Sequence, residues 1–210
     1  MVAIGGGDAV PDVIGLVAGS GFASGVNLYA TVLLLGLYGR VATEVPVPEL
    51  LSSTPVLLIA GALTVIEFFA DKVPWFDSVW DTIHTVVRPV GAAVLATVLV
   101  GDAAAISDAA AAGLAGGLAL ISHGAKASTR LAVNTSPEPF SNSIVSVFED
   151  GLVAVVVWLA VQNPTAALVV VAVLTLLAVV LIVALWRLVR SVRQRIRRSS
   201  LRGRMQDVSR

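Results

Sequence analysis

Asp77, Asp81, His84 and Arg88 lie at i, i+4, i+7 and i+11, a spacing that makes one continuous stripe along a helix. Two carboxylates, an imidazole and a guanidinium on one face could bind a cation, pair among themselves, or relay protons, because histidine titrates near neutral pH. Glu67 and Asp71 form a second pair four residues apart and share a helical face. Lys126 and Arg130 form a third, with His123 one turn earlier, and Glu149 and Asp150 a fourth. Asn27 sits in the middle of an uncharged stretch and offers a hydrogen bond from the first helix. The expected polar centre is therefore Asn27, Glu67, Asp71, Asp77, Asp81, His84, Lys126, Arg130 and Glu149. Asp77, Asp81 and His84 suit a divalent metal by donor type. They match no metal-binding spacing, so no metal and no cofactor is expected.

These groups adjoin long apolar runs. Hydrophobic residues make up 57% of the 210-residue chain and charged residues 13%, against about 25% charged in an ordinary soluble domain. Mean hydropathy is +0.90. A charge at the bilayer centre costs roughly 2.5–3.5 kcal/mol on insertion scales, so such residues pair, line water or carry function. The apolar runs are 13–39, 50–66, 89–101, 109–122, 151–161 and 163–186. They predict an all-α polytopic transmembrane bundle of about six spans over residues 1–186, in contact with the lipid bilayer. The third and fifth runs reach spanning length only by extending backward through Arg88 and His84, and through Asp150 and Glu149. Pro74 to His84, with Trp75, Phe76 and Trp80, reads as a re-entrant or interfacial segment.

Nine of the 14 basic residues lie from Arg187 onward, opposed there by Asp207 alone. Residues 187–210 are thus an arginine-rich tail, suited to anchoring the last helix or binding anionic lipid. With six spans, Lys72, Arg88, Lys126, Arg130 and the tail fall on one side. Arg40, beside Glu44 and Glu49, falls on the other, where Asp102 and Asp108 also lie. The positive-inside rule then places both termini on the cytoplasmic side of a cytoplasmic membrane. Cysteine is absent, which excludes disulfides and thiolate chemistry. Basic residues crowded against a span disfavour nucleic-acid binding.

Gly21 and Gly25, and Gly113 and Gly117, are GxxxG pairs that permit close helix approach within one subunit or in a homo-oligomer. Pro74-Trp75-Phe76-Asp77-Ser78-Val79 is echoed by Pro139-Phe140-Ser141-Asn142-Ser143-Ile144, a weak internal repeat of the kind found in transporters.

Three blocks, Ser24 to Leu37, Ile66 to Ala92 and His123 to Gly151, resemble the bacterial membrane family catalogued as domain of unknown function 4126. The resemblance covers roughly Leu16 to Trp158. It implies a multi-pass membrane protein and carries over no catalytic residue. The leading expectation from the residues themselves is a small channel or secondary transporter for an ion or small polar solute, not an enzyme. The alternatives are a membrane scaffold or assembly factor with structural buried charges, and a metal-dependent membrane enzyme.

Overall fold

A computed structural model describes residues 9–42, 47–101, 106–133 and 139–208. Glu44 and Asp102 lie outside the described residues, as do the side chains of most tail arginines. The chain forms α1 (Ala9–Val41), the single turn α2 (Glu49–Ser52), α3 (Thr54–Ala70), α4 (Pro74–Val100), α5 (Asp108–Val133), α6 (Pro139–Gln162) and α7 (Pro164–Val208). Each expected apolar run lies on one helix, α2 and α3 sharing the second. Helices α1, α4, α6 and α7 are long and apolar enough to cross a membrane. Helix α3 has 17 residues and α5 has 26, the latter diluted by the charges it carries. The short third and fifth runs do extend backward into their polar residues. Pro74 to His84 forms the regular first part of α4, not a separate re-entrant element.

Proline sets several starts. Pro74 opens α4, Pro139 opens α6 and Pro164 opens α7, where the missing N–H costs nothing and the fixed φ favours the first turn. The two copies of the weak repeat thus begin α4 and α6.

The backbone of α1 breaks at Asn27 (φ −150°, ψ 99°), dividing it into α1a (9–26) and α1b (28–41). Contacts give the direction of each part. In α1a, Gly21 lies against Ala115 and Gly25 against Ala119, while Gly19 lies against Ala160 and Gly15 against Pro164. Segment α1a therefore runs with α5 and against α6. Helix α5 opposes α4, since Gly116 meets Pro89 and Ala93 and His123 meets Thr85. Beyond the break, Leu28 packs on Gly91 and Gly36 on Leu51 and Leu57. Val32, Leu51, Leu95 and Val98 line one groove of about 450 Å³. Segment α1b therefore runs with α4 and doubles back on α1a. One end of the bundle holds residues 9, 41, 54, 100, 108 and 162–164; the other holds residues 70–74, 133, 139 and the far end of α7. The re-entrant element of this fold is α1, with its tip at Asn27.

The core is split by chemistry. Ala92 and Ala96 on α4 interlock with Ala111, Ala115 and Ala119 on α5, all at most 1% exposed. Small side chains let these helices approach closely, which is where dispersion can favour helix association in lipid. Around α1a, Leu16, Phe22, Val153, Val156, Val157 and Val171 form the larger cluster. Helix α7 is inside-out: its most apolar stretch is only 11% buried, with Val169, Leu176 and Leu177 exposed. At about 1.5 Å per residue, its 45 residues extend far beyond a bilayer core of about 30 Å. Trp186, with Arg190 stacked 5.3 Å from its ring, marks the interface.

The two GxxxG pairs are not equivalent. A methyl group at Gly21 or Gly25 would collide with α5, whereas at Gly113 and Gly117 nothing lies within 4 Å. The double replacement Gly113→Ala, Gly117→Ala should leave the unfolding temperature in detergent unchanged or slightly raised. Each alanine adds helix propensity, at most about 1 kcal/mol. A drop of several degrees would show that this face packs on a second copy.

Candidate functional site

The tip of α1 is built by one residue. The Asn27 Oδ1 accepts the Ala30 N–H at 2.9 Å, as an N-cap does at the start of a free helix, and Thr31 Oγ1 bonds the Asn27 carbonyl at 2.8 Å. Asn27 Nδ2 donates to Asp150 Oδ1 at 3.3 Å, tying the tip to the middle of α6. Breaking the helix leaves the last carbonyls of α1a without i+4 amides. Two cationic side chains take them: Arg88 Nη1 bonds the Gly25 carbonyl at 3.3 Å and Lys126 Nζ the Val26 carbonyl at 3.2 Å. Cations suit the negative end of a helix dipole.

Around the tip lies a buried ionic network. Arg88 Nη2 meets Glu67 Oε1 at 2.6 Å, both side chains fully buried, and Nη1 lies 3.4 Å from Asp81. Lys126 Nζ meets Asp71 at 2.9 Å, Glu67 at 3.4 Å and Glu149 at 3.8 Å. Arg130 Nη2 meets Glu149 at 2.6 Å and Asp71 at 3.1 Å, while Nη1 bonds the Asp71 carbonyl at 2.8 Å and lies 3.8 Å from Asp77. Four helices contribute in alternation: carboxylates from α3, α4 and α6, cations from α4 and α5. The pattern follows from the i, i+4 pairs. Each puts two like charges on one inward face, and the opposite charges come mostly from neighbouring helices, Arg88 with Asp81 on α4 being the exception.

The histidines differ. His123 Nδ1 faces Arg88 Nη1 at 2.7 Å. A guanidinium only donates, so Nδ1 is the acceptor and the proton sits on Nε2, which bonds the Asp81 carbonyl at 3.1 Å. His123 is held neutral in one tautomer. His84 Nδ1 faces the Trp80 carbonyl at 2.8 Å and must donate; its Nε2 meets the Tyr29 hydroxyl at 2.9 Å. A hydroxyl can donate or accept, so the His84 contacts survive either protonation state. Trp80 stacks on the ring at 4.6 Å between centroids.

All nine expected site residues come together. Sequence reasoning left Arg88, His123, Asp150 and Tyr29 outside the candidate set, although Arg88 closes the α4 stripe and His123 precedes Lys126 by one turn. The carbonyls of Gly25 and Val26 carried no signal beyond the Gly25 and Asn27 spacing. Lys72 stays outside the cluster, bonding the Phe68 carbonyl at 3.1 Å over the Phe68 ring.

The charges do not balance. Among the described residues three cations, Arg88, Lys126 and Arg130, face six carboxylates, Glu67, Asp71, Asp77, Asp81, Glu149 and Asp150. Glu67 Oε2 is buried without a hydrogen-bond partner among the described residues. Uncompensated buried carboxylates are unfavourable enough that they take up protons or cations. No three His, Asp or Glu side chains among the described residues converge as a metal-binding set.

A family model described as Domain of unknown function (DUF4126) matches residues 14–184. No curated protein and no solved structure matches the chain.

Proposed function

The chain belongs to this family of unknown function, and from its geometry we propose that it is a secondary transporter whose buried carboxylates take up a proton or small cation. The observation that carries this reading is the broken helix. Segment α1a ends at Asn27 against a network with more carboxylates than cations, level with the middle of α6. Discontinuous helices whose ends meet ion sites near the bilayer midplane recur in secondary transporters. Asn27 and its capping bonds form the joint between the two halves of α1. Asp77, Asp81 and Glu149 would share the transported charge, and Lys126 and Arg130 would neutralise the site when it is empty. On this reading the protein catalyses no covalent chemistry.

The positive-inside rule assigns the bundle end with Lys72, Arg130 and the tail of α7 to the cytoplasm. Because α1 doubles back, Ala9 then lies on the opposite side. This proposed orientation puts Ala9 and the tail on opposite sides, where the sequence suggested two cytoplasmic termini, and keeps the loop-charge asymmetry. Residues 187–210 would meet anionic lipid on the inner face.

The test is ion flux into liposomes holding purified protein, with a pH-sensitive dye inside. Asp81→Asn should lower flux at least tenfold and shift the unfolding temperature by only a few degrees. Among the described residues the Asp81 side chain is held by one contact, 3.4 Å to Arg88, so folding depends on it little. Wild-type flux no greater than that of protein-free liposomes, under both cation and proton gradients, would overturn the proposal in favour of a scaffold with structural ion pairs.

A further inference from the structure

A groove of about 480 Å³ opens between α5, α6 and α7. Its volume is that of a site for a drug-sized molecule. Phe22, Phe148, Leu174 and Leu177 are among its walls, and Lys126 and Glu149 lie at its polar end. Phe148 and Leu177 are 71% and 58% exposed on the face that lipid covers, so the groove opens sideways into the bilayer.

Glu149 is the link between the groove and the ionic network. Its residue is 9% exposed, and Oε2 is committed to Arg130 at 2.6 Å. Oε1 has no hydrogen bond among the described residues. The Lys126 ammonium bonds Asp71, Glu67 and the Val26 carbonyl at 2.9–3.4 Å and lies farther, 3.8 Å, from Glu149 Oε2. The polar end of the groove is therefore a carboxylate edge backed by a cluster with three more carboxylates than cations. Phe22 and Phe148 are among the residues lining the groove, and ring faces attract cations.

We infer that this groove binds a lipophilic organic cation, an amine or onium ion with a bulky apolar body, which enters from the bilayer with its charge on Glu149. The inference rests on the transport reading and names its substrate class. The apolar body replaces acyl chains along α6 and α7, and the charge reaches the network without crossing water.

The experiment measures equilibrium binding of tetraphenylphosphonium to the full-length protein in nanodiscs of zwitterionic lipid, with empty nanodiscs subtracted. Saturable binding is expected, with triphenylphosphine oxide, a neutral molecule of similar shape, failing to compete. Glu149→Gln should weaken binding at least tenfold. Leu177→Trp, on the lipid face of α7 and outside the ionic network, should do the same by filling the groove, with the unfolding temperature unchanged. Uptake no greater than that of empty nanodiscs, or equal affinity in wild type and both variants, would overturn the inference. Flux that still depends on Asp81 alongside such a result would leave the transport reading standing and remove only the lipophilic substrate.

Discussion

Arg88→Met should destabilise the protein by about 3–5 kcal/mol, the range for removing one partner of a buried ion pair. Most of the chain would then fail to survive purification. Arg88 is fully buried and serves four groups: Glu67, Asp81, His123 Nδ1 and the Gly25 carbonyl. Methionine fills much of the same volume, so the loss measures charge and hydrogen bonding more than packing. Among the described residues Glu67 would keep only Lys126 at 3.4 Å, and the Gly25 carbonyl at the break in α1 would lose its side-chain donor. The double variant Arg88→Met, Glu67→Met should recover at least half of the loss, because it removes the stranded carboxylate with its partner. Replacing a whole buried pair by apolar groups is often neutral or better. Thermal unfolding of the four proteins of this cycle gives the coupling directly. If Arg88→Met alone unfolds within 1 kcal/mol of wild type, the network does not hold the helices together.

Helix content and the gathering of the charged residues were legible from residue type alone. The i, i+4 spacing of Glu67 with Asp71, and of Lys126 with Arg130, fixes which faces turn inward, since neither pair can face lipid cheaply. The bilayer leaves helices as the only way to satisfy the backbone in these spans. The path of α1 was not legible. Its 33 residues contain no proline beyond Pro11, and Val13 to Gly39 is uncharged. Hydropathy therefore reads one long span, while the break depends on Asn27 capping α1b and on two cations from distant helices taking the freed carbonyls. Those partners are 63 and 100 residues away from Gly25 and Val26, and no local pattern encodes them. Pro74 with its aromatic neighbours suggested a re-entrant or interfacial segment; in the structure it is the first part of α4, because proline is accommodated at a first helical turn. Arg88 escaped the candidate set because a lone arginine at the edge of an apolar run resembles a boundary residue. Its role appears only once α3 and α5 bring Glu67 and His123 to it.

Gly25→Ala should be nearly as damaging as the loss of Arg88, although it adds one methyl group at a residue that carries no charge. That methyl would fall within 3 Å of the Ala119 carbonyl and of Ser122 Oγ, positions no real Cβ contact tolerates. The Ala119 contact is to the backbone of α5, so relief requires α1a and α5 to separate; rotating a side chain will not suffice. Overpacking of this kind costs about 1–3 kcal/mol, occasionally more, and here separation also moves the anchors of the tip. Ser122 would leave the Phe22 carbonyl, 2.8 Å away, and Lys126 the Val26 carbonyl. A loss of at least about 3 kcal/mol is therefore expected, at the top of that range. The same change at Gly117, equally glycine and equally helical, should cost nothing. Flux separates the geometric effect from simple instability. Any Gly25→Ala protein rescued by low temperature should remain inactive, because its cations no longer meet the carbonyls at the break. Recovery of wild-type flux in the rescued protein would mean that the α1 tip need not contact α5 for the carboxylates to work.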